Sequence, residues 1–185
     1  MPDETNKIYL TFDDGPMPGP TDYVLQQLEV FNAKATFFCI GDNVNKHPDL
    51  FDQLRAHSHA VGNHTHNHLK GWNVNNEAYL ENIVKCQQLI GDTKLFRPPY
   101  GRAKRSQLRQ LRNYKVVMWD VLSHDYSKSL QPEKCLKGVI KAIRPGSIVV
   151  FHDSLKAERN MQYVLPRLLD HFANRNFEFV SLPEF

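Results

Sequence analysis

Only three cysteines, Cys39, Cys86 and Cys135, occur in the 185 residues, and no two of them form a C-x-x-C pair. So sparse and odd a set excludes a disulfide framework and a zinc site built on thiolates. Cys39 lies in an apolar, strand-like run and reads as a buried core thiol. No run of about 18 apolar residues is present, so nothing reads as a membrane span. Met1 to Lys7 is polar and lacks the apolar stretch of a signal peptide. Charge of one sign is also scarce: the net charge is +3, and Lys and Arg are scattered. Without a basic stripe interleaved with aromatics, a nucleic-acid partner is not expected.

What remains is ordinary globular material, 41% hydrophobic and 23% charged, long enough for one cored domain spanning 1–185. There is no low-complexity stretch, linker or repeat. Strand-like segments are expected near Lys7–Phe12, Ala35–Ile40, His59–Gly62, Leu95–Arg97, Lys115–Trp119, Ser147–Phe151 and Phe177–Val180. Between them the pattern predicts helices over Thr21–Phe31, Pro48–His57, Asn76–Ile90, Ser106–Asn113, Pro132–Ile143 and Met161–Arg175. Thr21 reads as an N-cap and Pro48 as a first helical position. Such alternation implies parallel strands with helical crossovers, as an open α/β sheet or a closed barrel.

Five polar clusters follow directly after expected strands, where parallel α/β folds gather their sites. In Thr11-Phe12-Asp13-Asp14-Gly15-Pro16 the forced turn lets two adjacent carboxylates border one pocket while facing different partners. One can bind a metal while the other handles a proton; a plain Asp-Gly turn is the bland alternative. In Gly62-Asn63-His64-Thr65-His66-Asn67-His68, one helical turn would bring His64 and His68 to the same side, a spacing that suits two nitrogen ligands on zinc. His66 would point elsewhere, and His57 and His59 read as surface. Asp14 is the nearest third ligand, giving three protein ligands with open positions, as catalytic zinc sites have.

The prolines of Arg97-Pro98-Pro99-Tyr100-Gly101 make a rigid segment from which Arg97 can pin a carboxylate. Gly101 permits a turn that aims the Tyr100 N–H into the pocket. The last two clusters are Trp119-Asp120-Val121-Leu122-Ser123-His124-Asp125-Tyr126 and Val149-Val150-Phe151-His152-Asp153-Ser154. A carboxylate such as Asp125 would orient the His152 ring and favour its imidazolium, a usable general acid.

Together and in this order the clusters resemble the polysaccharide deacetylase family, also called the NodB-homology domain or carbohydrate esterase family 4. The resemblance runs from Ile8 to about Val180 and rests on intact TFDDG, H-T-x-x-H and RPPYG segments. It implies a distorted (β/α)₇ barrel and an enzyme that hydrolyses acetamido groups on N-acetylglucosamine polymers such as chitin oligomers or peptidoglycan. O-acetyl esters of xylan, or another small amide, are the alternative substrates. By resemblance Asp14, His64 and His68 bind a divalent metal, usually zinc, with cobalt, manganese or nickel also accepted. Asp13 is the general base, held by Arg97, and the Tyr100 backbone stabilises the oxyanion. His152 is the general acid tuned by Asp125, and Val150 borders the pocket for the acetyl methyl. Two positions depart from the family pattern: Tyr126 stands where Trp is usual, and Val150 where Leu is common. Both lie on the expected pocket wall, where Trp72 is a further candidate for stacking on a sugar ring. The expected partner is an acetylated glycan and the expected state a monomer. The location is left between the bacterial cell envelope or export, if a leader precedes Met1, and the cytoplasm.

Overall fold

The computed structural model describes residues 6–183. Eight strands occur in the order β1 (Lys7–Asp13), β2 (Ala35–Cys39), β3 (Ala60–Asn63), β4 (Leu95–Phe96), β5 (Lys115–Val116), β6 (Val121–Leu122), β7 (Ile148–His152) and β8 (Glu178–Phe179). Seven helices connect them: α1 (Pro20–Val30), α2 (Gly41–Lys46), α3 (Pro48–Ala56), α4 (Asn76–Ile90), α5 (Arg105–Leu108), α6 (Pro132–Ala142) and α7 (Glu158–Ala173). The sheet runs β5-β4-β3-β2-β1-β7-β6, with β8 paired to the start of β1, and every pairing is parallel. It is an α/β distorted barrel: the sheet curls, and its edge strands β5 and β6 are not hydrogen-bonded to each other.

Strand alternation sorts the side chains of the central strands into two cores, and a third cluster joins Tyr79 and Ile83 of α4 to Phe96 and Leu111. From the central strands, Ile8, Leu10, Phe12 and Phe37 join Phe151 and the buried stripe of α7 in the larger core, where Phe12 stacks between Phe37 and Phe151 at 5.1 and 5.9 Å. Phe38, Ala60, Leu95, Val117 and Leu182 fill the smaller one inside the curl. Pro166 interrupts α7 and leaves the Gln162 carbonyl without its helical donor. The Tyr23 hydroxyl of α1 donates to that carbonyl at 3.0 Å.

One buried side chain ties the segment that follows β5 to the central strand β1. Arg97, fully buried, donates from Nε to the Val117 carbonyl at 3.1 Å and from Nη2 to the Met118 carbonyl at 3.2 Å. From Nη1 it reaches Thr11 Oγ1 across the curl at 2.7 Å.

Several local expectations are corrected. Lys115–Trp119 is a strand only to Val116, and the separate strand Val121–Leu122 lies at the opposite sheet edge. The helix expected over Ser106–Asn113 is a single turn, and α2 was not foreseen in its polar sequence. Thr21 is not an N-cap: Gly19 holds that position and Pro20 follows it. The buried Thr21 hydroxyl instead donates to Asp153 Oδ2 at 2.6 Å. His59 is not surface but buried, and its Nδ1 accepts from the Ala35 N–H at 3.3 Å. Burial, with Lys34 and His57 nearby, lowers its pKa to about 4 and keeps it a neutral acceptor. Pro48 does occupy the first turn of α3, and all three cysteines are free and buried. Among the described residues no helix is long and apolar enough to cross a membrane.

Candidate metal centre and active-site cleft

The carboxyl ends of β1, β3, β4 and β7 open onto one cleft of about 590 Å³, within the range of small-ligand sites. Its floor contains Asp13, Asp14, His64, His68 and His152. Register explains the first pairing: Asp13 of β1 and His152 of β7 are Cα partners on neighbouring parallel strands.

Asp14 leaves the strand geometry with φ 85, a left-handed conformation unusual for a residue with a Cβ. Three contacts hold this turn. Asn43 Nδ2 of α2 donates to the Asp14 carbonyl at 2.7 Å, the Gly15 N–H donates to Asp153 Oδ1 at 3.0 Å, and Thr21 anchors that same carboxyl. A Cβ at Gly15 would lie 2.0 Å from Asp153 Oδ2, so only glycine fits. The result is that Asp14 Oδ1 stands 3.3 Å from His68 Nε2 and 3.8 Å from His64 Nε2.

His64 and His68 do meet, but not on a helix. Positive φ at Thr65 and at His68 folds the segment into a tight loop, leaving the rings 5.2 Å apart. Thr65 is fixed because its N–H donates to Asn63 Oδ1 and its Oγ1 accepts from the Leu69 N–H. His66 points away, with Nε2 3.4 Å from Asp42.

These three residues suit a divalent cation on two observations. Their donor atoms all lie within 4.8 Å of one another, and Asp14 Oδ1 is buried with no hydrogen-bond partner among the described residues. The His64 Nδ1–H donates to the Arg97 carbonyl at 2.7 Å, which leaves the Nε2 lone pair facing the other two ligands. Burial and the neighbouring His64 lower the His68 pKa despite Asp14, favouring the neutral ring that ligation requires.

On the same floor two titratable groups are tuned apart. Burial alone would raise the Asp13 carboxyl, but Arg97 Nη1 at 2.8 Å, helped by His64 and His152, holds it below the ordinary carboxylate range. For His152, burial works against the charge. Asp125 Oδ1, 2.7 Å from Nδ1, outweighs it and raises the pKa to about 9. The other Asp125 oxygen accepts from the His152 N–H at 2.8 Å, so ring and backbone are fixed together. One carboxylate and one imidazolium therefore face the same cleft at neutral pH.

The structure assembles almost every residue singled out in the sequence. Arg97 and Asp125 stand behind the floor rather than on it. Tyr100 has φ 59, its N–H donates to no group among the described residues, and its exposed ring lies 4.6 Å from that of His68. Val150 lines the cleft beside its β6 partner Leu122, and Tyr126 meets the His152 ring edge-on at 5.1 Å. Trp72 is the exception: it is exposed outside the cleft lining, with the Arg102 guanidinium 4.9 Å from its ring. Sequence reasoning missed Trp119 and Leu122 on the wall, Asp153 beneath the turn, and Lys70, Arg102 and Lys156 on the lining. For Asp153 the signal was its place beside His152 in the fifth cluster, and for Trp119 and Leu122 their place in the fourth; Lys70, Arg102 and Lys156 carried none.

A curled parallel sheet with polar residues gathered at its strand ends is the setting of many hydrolases. Residues 1–119 match the family model described as polysaccharide deacetylase, and the chain belongs to that family. It is accordingly a hydrolase of the polysaccharide deacetylase type. It is 31% identical over 192 residues to a peptidoglycan-N-acetylglucosamine deacetylase of Bacillus cereus, covering 100% of this chain and 90% of that one. It is 35% identical over 159 residues to a chitooligosaccharide deacetylase of Azorhizobium caulinodans, covering 80% of this chain and 74% of the relative. The crystal structure of the Bc1960 peptidoglycan N-acetylglucosamine deacetylase superposes with a TM-score of 0.91 at 29% identity, over 96% of this chain and 86% of that chain.

Proposed function

We propose that the protein hydrolyses the acetamido group of N-acetylglucosamine units in a chitin-like or peptidoglycan polysaccharide, releasing acetate. The observation that carries this reading is the pairing of Asp13 and His152, tuned in opposite directions on neighbouring strands beside the Asp14–His64–His68 cluster. A binding module needs no such pair; amide hydrolysis needs both members. The similarity to the two deacetylases supports the choice of N-acetylated glycan.

Asp14, His64 and His68 would hold the divalent ion, zinc by preference given two imidazoles and one carboxylate, with cobalt, manganese or nickel as substitutes. Such an ion supplies Lewis acidity toward the amide carbonyl and toward the attacking water. Asp13 takes the water's proton on Oδ2, the oxygen not engaged by Arg97. Arg97 keeps that carboxylate ionised and aimed. The Tyr100 N–H donates to the carbonyl oxygen as negative charge develops there. His152 holds a proton on Nε2, since Nδ1 faces Asp125, and delivers it to the leaving nitrogen. Leu122, Val150, Trp119 and Tyr126 form the apolar wall for the acetyl methyl.

A coupled acetate assay tests this across chitooligosaccharides, peptidoglycan strands and acetylated xylan. Acetate matched by free amine on the first two is expected. Release from xylan alone would transfer the site to ester hydrolysis.

A further inference from the structure

The cleft lining contains two carboxylates, Asp13 and Asp14, both on the floor and both already committed to Arg97 or to the ligand cluster. Every other acidic or basic residue lining it, the histidines aside, is a cation: Lys70, Arg102 and Lys156. None of the three lies within ion-pair distance of a carboxylate among the described residues. They come from three separate loops, after β3, after β4 and after β7.

Two of them stand beside aromatic rings that meet histidines of the floor. On one side the ligand ring of His68 meets Tyr100 at 4.6 Å, and Lys70 Nζ sits 5.7 Å from that tyrosine ring. On the other side His152 meets Tyr126 at 5.1 Å, and Lys156 Nζ sits 5.3 Å from that ring. Arg102 is held in the same way over Trp72. Resting on an aromatic face restrains a long cation without neutralising it. Tyr100 and Tyr126 line the cleft, and each has a positive charge beside its ring.

We propose that Lys70, Arg102 and Lys156 are specificity determinants that select acetylated glycans bearing carboxylates on the saccharide units flanking the reacting one. The inference rests on the proposed deacetylation site and specifies which glycans reach it. A neutral chitin-like oligomer has no group to answer three unpaired cations. A strand with acidic substituents on alternate sugars answers those on both sides of the floor, and its approach is steered by their field.

The test uses matched probes: peptide-free glycan strands carrying lactyl carboxylates, and the same strands with those carboxylates converted to neutral carboxamides. Binding to the zinc-reconstituted protein is read by fluorescence anisotropy of end-labelled strands at low and high salt. The acidic strand is expected to bind about tenfold more tightly at low salt, as several exposed pairs together allow. The gap should close in high salt, where screening is short-ranged. In the triple variant Lys70→Gln/Arg102→Gln/Lys156→Gln the two strands should bind alike at low salt. Equal affinity in the parent protein, or an undiminished preference in the variant, would overturn the proposal. The parent comparison needs no variant to fold. A protein that prefers the acidic strand but releases no acetate from either leaves the cation rim standing and removes the deacetylase reading instead.

Discussion

Arg97 Nη1 lies 2.8 Å from Asp13 Oδ1, and both side chains are buried. Through its carbonyl the same arginine receives the His64 Nδ1–H at 2.7 Å. The proposed base and one proposed metal ligand are therefore oriented from one residue, which also ties the segment after β5 to β1.

Arg97→Lys keeps the charge but loses the planar fork that reaches Thr11, Val117 and Met118. With the guanidinium gone, Asp13 is less well held in its ionised form. The acid limb of kcat/KM should move to higher pH. Denaturant unfolding should shift to lower concentration, because the buried carbonyls of Val117 and Met118 lose their donor. A variant with an unmoved acid limb would separate Arg97 from the base.

The alkaline limb belongs to His152. Its pKa of about 9 reflects Asp125 overcoming burial. In Asp125→Asn burial is opposed only by Asp13 and Asp14, and the ring should titrate well below its value in the parent. Imidazole NMR titration of the metal-free protein checks this directly. In the loaded enzyme a nearby dication lowers both values, but the order is kept, and at pH 8 the variant should be more than about tenfold slower. An unchanged titration would contradict the tuning by Asp125.

Asp153 makes a stability prediction. Burial, with Asp14 nearby, raises its pKa to about 8 despite the bonds from Thr21 and Gly15. A folded pKa above the unfolded value of about 3.9 means stability is full below that pH and declines as pH rises toward about 8. Asp153→Asn carries no such charge and can still meet Gly15 and Thr21. In metal-free protein, the variant's stability relative to the parent should grow between pH 5 and 8, by up to about 1.4 kcal/mol per unit. A pH-independent difference would refute the assignment.

The site was more legible than the frame around it. Asp13, Asp14, His64, His68, Arg97 and His152 each stood at a strand end in an ordered motif, and strand ends are what a parallel sheet gathers. Less legible was how they meet. The His64–His68 pair suggested a helical turn, yet Asn63 and positive φ at Thr65 make a loop do the same work. Strand β6 is two residues long and carries no periodicity to read. Thr21 matched a capping pattern, but Pro20 took the first turn and freed its hydroxyl for Asp153, 132 residues away. The unpaired cations of the cleft were invisible because a lysine in a loop looks solvated until its neighbours are placed.

Ion-dependent amide hydrolysis with Asp13 as base is tested by acetate release from chitopentaose. Acetate and free amine are expected in equal amounts, abolished by a chelator and restored by zinc or cobalt. Asp13→Asn should still bind the ion stoichiometrically yet release no acetate. Release that survives chelation, or full turnover by Asp13→Asn, would contradict this mechanism.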